Sequence, residues 1–206
     1  MTYRIDHIPH TQVNQRPGLT LEPTTLTVHS TGNPTSTARN ERDNLARPGN
    51  KRQASFHVVV DEREAIECLP FDEVAWHAGD ARGNRTSLSI EICESGDREK
   101  TLRHAAKVCA AILDTNGWDT SRMCQHHEWS GKNCPRILRD TGRWEEFVGM
   151  VEDELYDPAG ILAAAGLINS PDYWRQVLNG ELTPSPENLR ALLSKWAGSL
   201  EVSADE

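Results

Sequence analysis

Ser87-Leu88-Ser89-Ile90-Glu91-Ile92-Cys93-Glu94 alternates polar with apolar side chains. Successive side chains of a strand point to opposite faces, so Leu88, Ile90 and Ile92 share one side and Ser87, Ser89, Glu91 and Cys93 the other. The pattern predicts a strand with its apolar side in the core and a carboxylate, Glu91, on its polar side. Glu94 reads as a residue that solvates the sheet.

Three further strand signals precede it. Thr25-Leu26-Thr27-Val28 is β-branched and ends at His29, where Ser30-Thr31-Gly32-Asn33-Pro34 breaks the chain into a loop. Ser55-Phe56-His57-Val58-Val59-Val60 reads as a buried strand, with a short one at Ile66 to Leu69. Residues 37–47 are polar with good helix formers and stop before Pro48-Gly49. The stretch from Trp76 to Asn84, Trp76-His77-Ala78-Gly79-Asp80-Ala81-Arg82-Gly83-Asn84, reads as a loop. Downstream, residues 101–116 carry Leu102, Ala105, Ala106, Cys109, Ile112 and Leu113 at helical spacing and stop at Gly117. Residues 143–156 place Trp144, Phe147, Val148, Val151 and Leu155 on one side of a further helix.

Beyond Asp157 the character changes. Ser170-Pro171-Asp172 opens a short helix that Asn179-Gly180 closes, and Ser185-Pro186-Glu187 opens another with Leu189, Leu192, Leu193 and Trp196 on one stripe. Residues 201–206 read as a frayed end.

The 206 residues are enough for one compact domain and a modest appendage. A formal charge of -9 argues against nucleic acid, whose phosphates demand clustered Lys and Arg. The opening MTYRIDHIPHTQVNQRPG has no apolar core of a secretory signal, and the apolar stretch from Gly160 to Ile168 is too short to span a bilayer. Cytosolic synthesis without membrane insertion is therefore expected. Five cysteines, an odd number with no C-x-x-C pair, point to buried or metal-bound thiols rather than a disulfide framework. Cys68, Cys93 and Cys109 read as small buried hydrophobes.

The densest chemistry lies in Cys124-Gln125-His126-His127-Glu128-Trp129-Ser130-Gly131-Lys132-Asn133-Cys134-Pro135, which has Gly and Pro but no helical periodicity. Imidazole with thiolate favours zinc, and a catalytic zinc takes three protein ligands and leaves one position open. His126 and Cys134 suit two of the three, with Cys124 a rival sulfur too close to His126 to share a tetrahedral ion. On composition alone, exposed histidines and a buried thiol explain the segment equally well.

Four segments in order decide between these readings. Val28-His29-Ser30-Thr31-Gly32-Asn33-Pro34, Trp76-His77-Ala78-Gly79, Ser89-Ile90-Glu91-Ile92-Cys93-Glu94 and His126 through Pro135 together resemble the type 2 N-acetylmuramoyl-L-alanine amidases, over about residues 20 to 155. That family includes many bacteriophage endolysins and is related to the peptidoglycan recognition proteins. The resemblance implies an α/β fold, with a central mixed β-sheet flanked by helices and a zinc-bearing groove. Residues 1–157 are then the expected catalytic domain, and the change of character beyond Asp157 sets off 158–206 as a small helical C-terminal module expected to serve wall binding or self-association.

By the same resemblance, His29, His126 and Cys134 hold Zn2+, and His127 stands outside the ligand set. Glu91 matches the general base, and Lys132 a lysine that stabilises the oxyanion. His77 matches a residue lining the cleft, where it touches substrate or supports a ligand; Asn84 is expected beside it as a substrate contact. Short phage relatives carry a catalytic tyrosine where this chain has Phe56, so no hydroxyl acts there, and His57 packs beside the site.

The implied activity is hydrolysis of the amide between N-acetylmuramic acid and L-alanine in peptidoglycan, by an endolysin or autolysin that reaches the wall through a holin or on lysis. A muropeptide-recycling amidase is the first rival, but aspartate is its usual third ligand. Retention of Cys134 argues against a non-catalytic recognition module. A purely structural zinc would need a fourth strong protein ligand.

Overall fold

Among residues 2–202, which the computed structural model describes, six strands form one sheet: β1 (Thr2–Ile5), β2 (Thr25–Ser30), β3 (Val58–Val60), β4 (Glu64–Glu67), β5 (Ser87–Ile92) and β6 (Met123–Gln125). Their order is β1-β4-β3-β5-β2-β6. Only β3 and β4 run antiparallel, so the sheet is mixed. The turn between them is closed by Asp61, whose Oδ1 accepts from Arg63 N at 2.7 Å and Glu64 N at 2.9 Å. At the centre β2 lies parallel to β5, with Val28 opposite Ile90 and His29 opposite Glu91.

The helices are α1 (Ala38–Leu45), α2 (Ala81–Thr86), α3 (Arg98–Thr115), α4 (His126–Ser130), α5 (Arg136–Arg139), α6 (Trp144–Leu155), α7 (Pro158–Ala164), α8 (Pro171–Leu178) and α9 (Pro186–Val202). Thr37 and Asn40 cap α1 reciprocally, and Asp97 accepts from Lys100 N to start α3. The helix α2 replaces the loop expected through Asn84. Its six residues lack apolar periodicity, and it starts because Asp80 accepts from Gly83 N at 2.8 Å. Likewise α4 forms where no helical period exists, between a Gln125–Glu128 capping box and Gly131 in the left-handed region.

One face of the sheet is apolar. Leu26, Val28, Val58, Val60, Leu88, Ile90 and Ile92 pack in the same core as Leu102, Ala106, Cys109 and Leu113 of α3 and Phe147 and Val151 of α6. Burial of this kind is the main favourable term in folding, roughly 25 cal/mol per Å² of apolar surface. The opposite face begins with Val59, Ile66 and Leu69 against Ala38 and Leu45 of α1. It then turns polar through Thr27, His29, Ser87 and Ser89, all buried. The polar side of β5 is therefore interior, not solvated: Ser87 and Ser89 are fully covered, and Thr27 Oγ1 lies 2.6 Å from Ser87 Oγ. Only Val58–Val60 of the longer strand expected from Ser55 enters the ladder.

The chain divides into two compact units, Met1–Leu155 and Tyr156–Glu206. The second has its own small core of Ala159, Ile168 and Trp174, against which Leu162, Tyr173, Val177 and Leu192 pack. Arg175 pairs with both Asp157 and Asp172. Of the apolar stripe read on α9, only Leu192 joins that core; Leu189, Leu193 and Trp196 are exposed. The frayed end expected at 201–206 lies outside the described residues from 203 onward, while Glu201 and Val202 continue α9. No helix among the described residues is long and apolar enough to cross a membrane.

Candidate metal centre

Two distant parts of the chain meet at the carboxyl ends of the central strands. His29 is the penultimate residue of β2, His126 opens α4 directly after β6, and Cys134 ends the loop between α4 and α5. That loop is tied by His127 N to Cys134 O (3.0 Å) and by Cys134 N to Lys132 O (2.8 Å). One donor atom from each of His29, His126 and Cys134 lies within 4.8 Å of the others, and all three residues are buried. His29 Nδ1 is 3.8 Å from Cys134 Sγ, and the two imidazole centroids are 4.6 Å apart.

The donors fit a single zinc ion. Two imidazoles and a thiol are its usual partners, and three of them leave a tetrahedral position open. His126 Nδ1 is buried with no hydrogen-bond partner among the described residues, as is Glu91 Oε2. Such orphaned atoms are costly in a folded protein unless something unseen satisfies them. His127 is half-buried and outside the cluster. Cys124, the rival sulfur, instead sits 3.3 Å from Thr27 Oγ1.

Burial sets the protonation of the centre. It holds His29 well below its ordinary value, helped by the neighbouring His77 and His126, and brings His77 down to about 3 and His126 to about 4. All three imidazoles are thus neutral at pH 7 and have a lone pair to offer. Burial also pushes Cys134 up to about 11 and Glu91 up to about 8, with Glu41 adding to the rise at Glu91 and Lys132 opposing it. A divalent cation would reverse these tendencies, because its charge favours thiolate and carboxylate.

Glu91 faces His29 from β5, with Oε1 4.0 Å from His29 Nδ1. A groove of about 150 Å³ opens here, lined by His29, His77, Glu91, His126 and Lys132. Phe56 lines the same groove and brings no hydroxyl to it. Lys132 is exposed. The ring of His57 is satisfied internally: Ser89 N donates to Nδ1 at 3.0 Å, and Nε2 lies 2.9 Å from Glu73 O.

His77 lines the groove and also contacts His29, and Asn84 holds the main chain of the loop that carries it. His77 Nδ1 is 3.0 Å from His29 Nε2, and His77 Nε2 is 3.1 Å from Ser87 O. Asn84 Oδ1 accepts from both His77 N and Ala78 N at 2.8 Å.

Glu94 is a correction. It is buried, not solvating, and accepts from Ser30 Oγ and Gly32 N, each at 3.0 Å, and from Arg136. Although burial pushes its carboxyl up, the Arg136 and Ser30 hydrogen bonds hold it below the ordinary carboxylate value. It ties the end of β2 to the start of α5, on either side of the centre. Sequence reading also missed Trp129, whose Nε1 donates to Thr27 Oγ1 at 2.9 Å, and the groove residues Glu41 and Arg52. Nothing local marks these, since each acquires its partner from a remote segment.

A parallel-centred α/β sheet that gathers a buried His–His–Cys cluster beside a carboxylate defines a class of protein able to hold one divalent cation. Residues 19–137 match the family model described as N-acetylmuramoyl-L-alanine amidase. The N-acetylmuramoyl-L-alanine amidase XlyB of Bacillus subtilis (strain 168) is 36% identical over 155 residues, covering 72% of this chain and 48% of that protein. CwlH of the same organism, also an N-acetylmuramoyl-L-alanine amidase, is 37% identical over 153 residues, covering 72% of this chain and 60% of its own length. The solved catalytic domain of XlyA superposes with a TM-score of 0.68 at 35% identity, covering 73% of this chain and 99% of that domain. The chain belongs to the N-acetylmuramoyl-L-alanine amidase family. It spans about half the length of the curated relatives it matches.

Proposed function

We propose that this chain hydrolyses the amide bond between N-acetylmuramic acid and the L-alanine of peptidoglycan, at a zinc ion held by His29, His126 and Cys134. The convergence of those three donors within 4.8 Å carries the reading. Bound zinc would supply Lewis acidity, polarising the scissile carbonyl and acidifying the attacking water.

The chain's own groups do the rest. Glu91 takes a proton from the attacking water, and oxygen adds to the carbonyl carbon. Lys132, on the groove rim, offers its ammonium to the developing oxyanion. Glu91 then returns the proton to the alanine nitrogen as the C–N bond breaks, so one carboxyl serves as base and then acid. The wall is the substrate, reached through a holin or on lysis, and the unit after Leu155 serves wall attachment or self-association.

Metal analysis together with digestion of muropeptides tests the reading. The intact chain is expected to hold one zinc and release free amino-terminal alanine, and Cys134→Ser to do neither. A metal-free wild type with full activity, or cleavage at any other bond, would overturn it.

A further inference from the structure

We propose that the loop from Trp76 to Gly79, pinned by Asn84, dictates which ring nitrogen His29 presents to the metal, with His77 as the positioning residue. The inference rests on the reading of His29, His126 and Cys134 as zinc ligands.

It starts from an atom with no choice. The main-chain oxygen of Ser87 can only accept, so His77 Nε2, 3.1 Å away, must carry the proton. His77 is buried among other imidazoles and holds one proton, which leaves a lone pair on its Nδ1. His29 Nε2, 3.0 Å from that lone pair, must therefore be the donor. The remaining nitrogen of His29, Nδ1, is left unprotonated, and it faces Cys134 Sγ at 3.8 Å.

On the second histidine, His126, Nδ1 has no partner among the described residues and Nε2 lies beside Gly79. Two adjacent residues of the loop, His77 and Ala78, are held together. Their backbone N–H groups converge on the Asn84 Oδ1, each at 2.8 Å. The close approach of α2 to this loop requires Gly83, where a Cβ would fall 2.6 Å from the Ala78 Cβ.

This accounting uses both His77 nitrogens and fills the Asn84 carbonyl oxygen. Neither residue then has those atoms left to recognise a sugar or a peptide. Groups of this kind fix ligand orientation, and their loss weakens metal binding by about 10–100-fold.

The test is zinc affinity, measured on the full chain by competition with a chromophoric chelator, with zinc alone as the probe. His77→Phe removes the acceptor and is expected to weaken zinc binding about 10–100-fold. His77→Asn, whose amide oxygen can take the Nδ1 position, is expected to restore most of that loss. Asn84→Ala acts at a distance through the loop and is expected to weaken zinc in the same direction, which keeps the test open should His77→Phe fold poorly. In the metal-free wild type, long-range proton–nitrogen NMR is expected to show His29 protonated at Nε2. Unchanged zinc affinity in His77→Phe and Asn84→Ala, with a raised KM for muropeptides at saturating zinc, would overturn the inference and restore the substrate-contact role. A wild type that binds no zinc would instead overturn the assignment of the centre itself.

Discussion

Glu91 and His29 occupy the same rung of the ladder between the two central parallel strands, and their side chains meet with Glu91 Oε1 4.0 Å from His29 Nδ1. The carboxylate proposed as base and the imidazole proposed as ligand are thus set by one backbone register. Glu91→Gln keeps the shape and removes the base. It is expected to retain zinc by metal analysis but lose about 10²–10⁴-fold in kcat. Full turnover in this variant would remove Glu91 from the mechanism.

Glu94 joins the segments that carry His29 and Cys134. Replacing it by Ala strips acceptors from Ser30, Gly32 and Arg136. Since charged hydrogen bonds contribute more than neutral ones, the expected loss is roughly 2–3 kcal/mol by urea unfolding at pH 7. A change below about 0.5 kcal/mol, the level of an ordinary surface substitution, would show that the clamp contributes little.

His57, outside the His29–His126–Cys134 cluster, gives the fold an acid-sensitive point. Burial brings it down to about 4, below its ordinary value, so folding opposes its protonation. The sign follows: its contribution is complete above the unfolded value near 6.5 and is lost as pH falls through about 4. The loss over that window is about 3 kcal/mol from this group. His57→Gln is expected to be less stable than wild type at pH 7 yet to lose less on acidification, read from urea midpoints at pH 7 and pH 4.5. Parallel losses in the two proteins would contradict this.

The unit Met1–Leu155 holds the whole groove and both sheet cores. Truncation after Leu155 is expected to leave a folded protein that still cleaves soluble muropeptides. Sedimentation with purified walls, or the mass in solution, is expected to change. If wall binding and mass both survive truncation, the unit after Leu155 has neither proposed role.

What the amino-acid order determined by itself was local: where chemistry sits and where the longer helices start and stop. His29 after a β-branched run, His126 and Cys134 in a Gly- and Pro-bearing segment, and Pro171 and Pro186 opening helices are all visible within a few residues, because caps, turns and ligand spacing are short-range. Four matching segments then joined these pieces into one family.

Tertiary structure decided the rest. Strands β1 and β6 are four and three residues long and exist only because β4 and β2 offer them backbone partners. The alternation in β5 told which side chains share a face, not that Thr27, Trp129 and Cys124 would cover the polar one. Glu94 and His77 have the same composition whether exposed or enclosed. Their roles come from Arg136, Ser30, His29 and Ser87, brought to them by the fold, and no periodicity encodes which distant group will complete a buried hydrogen bond.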